Sequence, residues 1–318
     1  MEPSYLSAYR SGKLKNTADE LWALLESCSL CPRQCKVNRL QGRKGFCKTG
    51  KKARVYSYMS HRGEEPVISG TRGSGTIFFS GCTLSCVYCQ NFKFSQNEKG
   101  KELDFPDLAE LMLTLQKQGC HNINCVTPTH VLPQILKAIL AAVPKGLTIP
   151  LVYNTSGYEQ AWIISKLDKI FDIYLPDMRY ADDTMAFKYS SAKDYVYYNR
   201  TAVQEMFKQA GNPEFDREEI LQKGLIIRHL VLPDDISGTK KICEFISHNL
   251  SQETYISLMS QYTPFYKAAE IKELSRRLTI EEYEKARDIL QECGLENGWI
   301  QESFGAQDFA GVNIKEME

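Results

Sequence analysis

The feature that most constrains the fold is a regular alternation of short apolar runs with amphipathic segments, from about residue 75 to residue 262. Six runs have the length and composition of buried strands, namely GTIFFSG, NINCVTP, TIPLVYN, IFDIYLPD, GLIIRHLVLP and TYISLMSQY. Helical stretches such as PDLAELMLTLQKQG and LPQILKAILAAV lie between them. Strands that alternate with helices pair in parallel through right-handed crossovers. We therefore expect an α/β fold whose ligands bind at the carboxyl ends of parallel strands.

Two regions of different composition flank this alternating segment. The first is rich in cysteine, basic and punctuated by glycine, and an early helix is predicted there with a capping box of Thr17 and Glu20. The second is polar, and a helix is predicted to start at Thr279, with Glu282 three residues on completing a second capping box, and to end at Gly294. The predicted regions are a Cys-rich N-terminal extension at 1–74, a strand–helix core at 75–262 and a helical C-terminal cap at 263–318.

The overall composition is that of a globular protein without a strong charge bias. The chain is 43% hydrophobic and 25% charged, with a formal net charge of zero. Such a balance gives no global attraction to nucleic acid or to an anionic membrane. No apolar run approaches the roughly 18–20 residues of a membrane span, and the first residues lack a signal-peptide pattern. We expect a cytoplasmic protein with neither membrane nor nucleic acid as a partner.

Three cysteines directly follow the first predicted strand, at the spacing Cys82-x3-Cys86-x2-Cys89. Cysteines in a reducing compartment indicate metal binding more often than disulfides. A structural zinc site and a ferredoxin cluster each take four protein ligands. Three thiolates on one loop can instead hold three irons of a [4Fe–4S] cluster and leave the fourth iron open. The alternatives are a chance cluster of cysteines and a zinc site completed by a distant residue.

This motif resembles the hallmark of the radical S-adenosylmethionine (SAM) superfamily, in which an aromatic residue, here Tyr88, precedes the last cysteine. Within that superfamily, the chain is similar to an uncharacterised group related to pyruvate formate-lyase activating enzyme, an activase of glycyl radical enzymes. The likeness covers about residues 28–298. It rests on the segments HRGEEPVISG, GSGTIFFSGC, CQN, HNINCVTPTH, VYNTSGY, DIYLPD, IRHLVLP and SQYTPFY.

The resemblance implies both a fold and a chemistry. The fold would be a partial (β/α)6 TIM-like barrel carrying the N-terminal extension and the C-terminal cap. The cofactors would be a [4Fe–4S] cluster and SAM, which is cleaved reductively to a 5′-deoxyadenosyl radical that takes hydrogen from a substrate. Because this reduction needs a potential at the low end of the iron–sulfur range, a low-potential donor such as flavodoxin or ferredoxin is implied.

The resemblance also assigns SAM-binding positions after the predicted strands. VTPTH stands where activases carry a Gly-Gly-Glu motif, NTSG matches a Thr-Asn-Gly turn, and Arg179 in LPDMRY replaces a lysine. Arg228, in an otherwise apolar strand, needs a partner, either a SAM carboxylate or an internal acid. The alternative for His130 is a helix N-terminal residue without a ligand. The predicted cofactor-binding residues are Tyr88, Thr127, Thr129, His130, Asn154, Ser156, Asp177, Arg228 and Gln261.

A second cysteine group lies in the N-terminal extension, with the spacing Cys28-x2-Cys31-x3-Cys35-x11-Cys47. Four thiolates within twenty residues can complete a closed site, and either zinc or an auxiliary [4Fe–4S] cluster would satisfy them. Residues 31–54 hold nine Lys or Arg and no acid. They form either a solvated face that offsets anionic thiolates or a docking surface for an acidic electron donor such as flavodoxin, or for nucleic acid.

The predicted function is that of a radical SAM oxidoreductase resembling the activating enzymes, which abstracts hydrogen from a protein or peptide. The first alternative applies the same radical to a peptide, a small molecule or RNA. The second alternative belongs to another class, a non-catalytic metal-binding or electron-transfer protein. His61, Glu64 and Glu65 are expected as exposed loop charges, the alternative being acid/base groups in the substrate space.

Overall fold

The structure is a computed structural model that describes residues 1–301 and 313–317. The strands are β1 (Ala53–His61), β2 (Ser74–Phe79), β3 (Lys101–Leu103), β4 (Ile123–Val126), β5 (Leu151–Thr155), β6 (Ile173–Pro176), β7 (Glu214–Phe215), β8 (Leu221–Leu230), β9 (Tyr255–Met259) and β10 (Gly298–Ile300). The helices are α1 (Ser4–Arg10), α2 (Lys13–Ala23), α3 (Pro66–Ser69), α4 (Phe92–Ser95), α5 (Phe105–Lys117), α6 (Leu132–Ala142), α7 (Ala161–Ser165), α8 (Asp183–Ser190), α9 (Tyr195–Ala210), α10 (Thr239–Asn249) and α11 (Ile280–Glu292).

The strands form one sheet in the order β10-β9-β8-β6-β5-β4-β2-β1-β3, with β7 paired to β8. Pairing is parallel from β2 through β10, and it is antiparallel where β1 and β3 extend the β2 side. All six predicted strands are present, in an order that follows the chain. Because β1 and β3 lie beyond β2, the parallel strands do not close into a ring. The predicted α/β fold, a partial barrel of parallel strands and crossover helices, is confirmed.

Strand β1 was not predicted, although it is among the longest in the sheet. It lies within the range 1–74 and pairs antiparallel with β2 over six registered positions, from Val55 opposite Phe79 to His61 opposite Ser74. In the sequence ARVYSYMSH, Arg54, Ser57 and Ser60 interrupt the apolar residues, so it lacks the continuous apolar run that marks the parallel strands. The sheet therefore continues into the N-terminal extension, and the boundaries at 74 and 262 stay predictions.

The two predicted capping boxes have different outcomes. Thr279 caps α11, with its hydroxyl accepting from the Glu282 backbone N–H and the Glu282 side chain accepting from the Thr279 backbone N–H, as predicted. Thr17 is buried inside α2, which begins at Lys13, so the early capping box was wrong. The predicted C-terminal cap also contains β10, and its residues 302–312 and 318 lie outside the described ranges.

Successive side chains of the parallel strands point alternately into the main core and towards a cavity on the other face of the sheet. In β2, Ile77 and Phe79 belong to the main core, into which helices α2, α5 and α6 also pack, whereas Phe78 lines a cavity on the other face. On β4, Cys125 likewise belongs to the main core, whereas Val126 lines the cavity. Successive side chains of a strand point to opposite faces, so every second residue near a strand end is available to a ligand.

Candidate cofactor site at the strand ends

The cavity lies at the carboxyl ends of the parallel strands, where the fold predicts a ligand site. Together with the space at its mouth that is open to solvent, its volume is about 1000 Å³. Each of the six predicted strands contributes to its wall at or just beyond its end, through Phe78, Val126, Asn154, Asp177, Leu230 and Met259. The polar groups therefore converge from different elements onto one space, as in other parallel α/β sites.

The three-cysteine loop, residues 80–91, forms one side of this cavity through Tyr88, Cys89 and the residues that follow. Backbone hydrogen bonds hold the loop against the end of α8, from Ser85 N to Ser190 O at 3.0 Å and from Val87 N to Tyr189 O at 2.9 Å. The loop is therefore positioned by the barrel rather than by a local fold of its own.

The sulfur of Cys86 accepts two side-chain hydrogen bonds. Ser190 Oγ donates at 2.9 Å and Arg179 Nη1 donates at 3.3 Å. The hydroxyl of Ser190 also bonds to Tyr180 Oη at 2.7 Å, and Tyr180 in turn bonds to Tyr88 Oη at 2.7 Å. Donors aimed at a sulfur stabilise its thiolate form, so this surrounding suits a metal-bound cysteine.

The other two loop sulfurs also have polar neighbours. Cys82 Sγ accepts from Leu84 N at 3.4 Å, and Cys89 Sγ lies 3.1 Å from Ser95 Oγ. Burial raises the pKa of Cys82 to about 12 and that of Cys89 to about 11, so both are neutral thiols unless a cation binds them. Three thiols on one loop, each beside a hydrogen-bond donor, are the donor set of a cluster with one open iron.

Arg228 is the centre of a buried ionic network at the cavity wall. Its Nε donates to Asp177 Oδ1 at 2.8 Å, its Nη2 to Asn154 Oδ1 at 2.7 Å and its Nη1 to Glu64 Oε2 at 3.3 Å. Burial acts to raise the pKa of Asp177, but the charges of Arg228 and Arg179 outweigh it and the pKa is lowered. Burial raises the pKa of Glu64. The partners of Arg228 are thus internal acids, the alternative that the sequence left open.

Asp177 joins this network to the cysteine loop. Its Oδ2 accepts from Arg179 Nε at 3.1 Å and from Nη2 at 2.5 Å, while Nη1 of the same guanidinium reaches Cys86. A lysine ammonium at this position could not make these contacts in one plane. The arginine therefore connects the carboxylate to the sulfur.

The loop before β2 is more enclosed than expected. The Glu64 side chain is 8% exposed, and Glu65 and His61 are buried. The expectation that these three residues are exposed loop charges was wrong, because Arg228 compensates the acids inside the fold. Glu64 is a site residue that sequence reasoning did not select. The basic residue in an apolar strand was the signal that an acid had to lie nearby.

The structure brings together five of the nine predicted cofactor-binding residues. Those that line the cavity are Tyr88, Asn154, Asp177, Arg228 and Gln261. Thr127 is half-buried and follows the cavity-lining Val126. Ser156 is buried and is not part of the cavity lining. Thr129 and His130 lie elsewhere and have other contacts, described below.

Thr129 takes part in a buried carboxylate site behind the strand ends. Glu159 is fully buried, and its Oε1 accepts from Thr129 Oγ1 and from Thr155 Oγ1, both at 2.5 Å. Burial raises the pKa of Glu159 to about 7 from an ordinary value of 4.5. The placement of Thr129 therefore results from a bond to Glu159, which fixes the end of β4 to the turn after β5.

Glu159→Gln is expected to remove a pH-dependent loss of stability. The folded-state pKa of Glu159 is higher than its unfolded value, so the protonated carboxyl makes its full contribution to stability below pH 4.5. That contribution is lost as the pH rises through 7 and the buried carboxyl becomes charged. The amide oxygen can still accept both threonine hydroxyls and carries no charge. We expect the variant to gain roughly 3 kcal/mol over wild type at pH 8 and little at pH 5. Urea unfolding at the two pH values measures this, and an equal gain at both would contradict it.

The four N-terminal cysteines surround a second cavity. Its lining includes Cys28, Cys31, Cys35, Cys47, Arg39 and His130. Arg39 Nη1 lies 3.7 Å from Cys28 Sγ, and Phe46 N donates to Cys35 Sγ at 3.5 Å. Within residues 1–301 and 313–317, no three His, Cys, Asp or Glu side chains are already arranged as a metal-binding group, at this cavity or at the three-cysteine loop, so a metal centre at either place would have to draw the sulfurs together.

This second cavity lies directly against the three-cysteine loop. Arg33 donates to Thr83 O at 2.7 Å, and Gln160 Nε2 donates to Ser29 O at 2.5 Å. Gly81 has a φ of +87°, and a Cβ atom there would lie 2.3 Å from the carbonyl oxygen of Cys47. A glycine is therefore required where the two cysteine segments approach each other.

The fold and the sites define an α/β protein with a partial parallel barrel and a thiol-rich loop at its ligand-binding face. No protein-family model matches the chain. The chain is 32% identical over 284 residues to Uncharacterized protein MJ0674 of Methanocaldococcus jannaschii, an alignment that covers 86% of this chain and 77% of that protein. The chain belongs to the family of that protein.

Three solved structures share part of the fold. TYW1 with a lysine-pyruvate adduct bound is 14% identical, covers 72% of this chain and 76% of its own, and has a TM-score of 0.46. HydG, a maturase of the [FeFe]-hydrogenase, is 11% identical, with coverages of 68% and 48% and a TM-score of 0.47. Methylornithine synthase (PylB) is 16% identical, with coverages of 70% and 63% and a TM-score of 0.44. Similarity at this level carries no argument about function.

The structure also bears on the membrane question. No helix within the described part of the chain has the length and the apolar character that crossing a membrane requires.

Proposed function

We propose that the protein is a radical SAM enzyme, with a [4Fe–4S] cluster on Cys82, Cys86 and Cys89 and SAM in the adjoining cavity. The observation that carries this proposal is the position of the loop. Its three thiols stand at the end of the first parallel strand, beside a cavity of mixed polar and apolar lining to which all six predicted strands contribute. A closed structural metal site would have no use for such a cavity.

When bound, the cluster supplies the electron that cleaves SAM, and the chain supplies position and electrostatics. Ser190 and Arg179 donate to Cys86 Sγ and so draw electron density from it. Hydrogen bonds to ligating sulfurs are among the factors that set an iron–sulfur potential. Asp177 fixes the Arg179 guanidinium and partly neutralises it.

The Arg228 network provides polar contacts for a zwitterionic ligand such as SAM. A guanidinium has five N–H donors, and three atoms of Arg228 each donate one to Asp177, Asn154 and Glu64. Two N–H groups are therefore available to a carboxylate in the cavity. Glu64 and the Asn154 amide offer acceptors and donors for an amino group or hydroxyls.

The substrate class that we propose is a protein or peptide, in the manner of a glycyl-radical-enzyme activase, and its support is the motif resemblance alone. A low-potential protein such as flavodoxin or ferredoxin would deliver the electron, in a cytoplasmic setting. Modification of another peptide, a small molecule or RNA uses the same site. The four N-terminal cysteines favour this second candidate, because a further metal centre (zinc or an auxiliary [4Fe–4S] cluster) extends the chemistry.

The test is SAM cleavage by the intact chain. The protein is reconstituted anaerobically with iron and sulfide, reduced with dithionite and supplied with SAM. We expect 5′-deoxyadenosine as a product. If a fully loaded protein makes none, the non-catalytic metal-binding or electron-transfer class is supported instead. A glycyl radical in a candidate protein partner, detected by EPR, would identify the activase-like substrate.

A further inference from the structure

We propose that His130 is a ligand of the metal centre held by the N-terminal cysteines, with its Nδ1 as the donor atom. This inference rests on the N-terminal metal site proposed above and is independent of SAM chemistry. It gives His130 a role different from the cofactor-binding role that its sequence position implied.

The first observation is the state of the imidazole ring. His130 is 2% exposed, and its Nε2 lies 2.9 Å from Ser80 O. A carbonyl oxygen can only accept, so Nε2 carries the proton and the neutral ring keeps a lone pair on Nδ1. A metal-ligating histidine usually donates its other N–H to a carbonyl or carboxylate in this way.

The second observation is that Nδ1 is buried and has no hydrogen-bond partner within the described residues. The ring itself lines the cavity that the four N-terminal cysteines surround. Leaving a buried acceptor unpaired destabilises the folded state. A metal ion bound at Nδ1 would remove that destabilisation.

The third observation concerns the cationic side chains in the same cavity. Arg39 directs Nε and Nη2 to Gly50 O, at 3.1 and 3.0 Å, and Nη1 to Cys28 Sγ. Arg33 directs Nε to Thr83 O and Nη2 to Ser191 O, at 2.7 and 2.6 Å. Both guanidiniums are thus engaged with other acceptors, and neither donates to Nδ1 of the histidine that lines this cavity.

The N-terminal cavity offers more donor side chains than one metal centre needs. Four cysteines and His130 give five donors, whereas tetrahedral zinc takes four ligands, as does a [4Fe–4S] cluster. One of the four cysteines should therefore be dispensable for metal retention. The Ser80 contact also places the His130 ring two residues from Cys82, so that the N-terminal centre is connected to the loop that binds the other cluster.

The experiment uses the full chain with Cys82, Cys86 and Cys89 replaced by alanine, so that only the N-terminal centre holds metal. X-ray absorption at the zinc edge, or pulsed EPR of the reduced cluster if iron is found, reports the ligand atoms. We expect one nitrogen at about 2.0–2.1 Å for zinc, or a directly coordinated ¹⁴N for iron. That nitrogen signal should vanish in H130Q. A glutamine can still donate to Ser80 O, so the loop geometry is kept.

An all-sulfur first shell, or an H130Q spectrum identical to that of its parent, would overturn the proposal. Retained far-UV circular dichroism shows whether H130Q is folded. H130C is the second variant, since a thiol at this position should restore metal content with an added sulfur and no nitrogen. Absence of any metal from the parent would refute the N-terminal site itself, whereas 5′-deoxyadenosine formation by the unaltered chain is tested separately.

Discussion

Cys86→Ala is expected to reduce 5′-deoxyadenosine formation to background. Cys86 is the loop cysteine whose sulfur accepts hydrogen bonds from both Ser190 and Arg179. An alanine leaves two thiols, too few to hold the cluster, and it leaves the Arg179 donor without its sulfur. The reconstituted variant should lose one cluster's complement of iron and the EPR signal of the reduced cluster that SAM perturbs. Product is measured by liquid chromatography after reduction under strictly anaerobic conditions.

Cys293→Ala is the matched control for this prediction. Cys293 caps the end of α11, is half-buried and lines neither cysteine-rich cavity. The same chemical change there should leave both the iron content and the product unchanged. Product formation by Cys86→Ala at the control level would refute the assignment of the loop.

The sequence was sufficient for the parallel sheet because buried parallel strands are continuous apolar runs, and six of them could be counted. It was insufficient for β1, whose pairing with β2 depends on alternation rather than on an apolar run. β10 is a short strand, Gly298–Ile300, added beside β9. A strand of that length gives no periodic signal at all.

The position of the site was also predictable, since it follows from the strand-end rule and the cysteine spacing. The hydrogen-bond partners of its residues could not be predicted. Arg228 required a buried acid, but its sequence could not show that Glu64, 164 residues earlier, would supply one. Similarly, Thr129 and His130 follow β4 as the analogy required, yet they turn towards Glu159 and Ser80. Which way a residue beyond a strand end turns is decided by tertiary contacts.

Arg228→Met is expected to destabilise the protein by about 3–5 kcal/mol at pH 8, the effect of leaving buried charges without their partner. The substitution keeps the apolar volume of the side chain and leaves the carboxylates of Glu64 and Glu65 without the cation beside them, whereas Asp177 keeps its bonds to Arg179. Burial already raises the folded-state pKa of Glu64 and Glu65 while Arg228 acts to lower it, so without the guanidinium both pKa values rise further above their unfolded values. The loss of folding free energy is therefore absent below the unfolded pKa values and grows as the pH rises. The difference in unfolding free energy between wild type and variant should accordingly be smaller at pH 5 than at pH 8.

Chemical denaturation at pH 5 and pH 8 measures this difference, with Arg277→Met as the control because Arg277 is exposed. Surface substitutions of that kind usually stay within about 0.5 kcal/mol. A deficit in Arg228→Met below about 1 kcal/mol, or one that is the same at both pH values, would mean that the carboxylates do not depend on Arg228. A smaller destabilisation at pH 5 than at pH 8 would show that internal acids hold Arg228 before any ligand binds. A bound carboxylate would then use only the two remaining N–H groups.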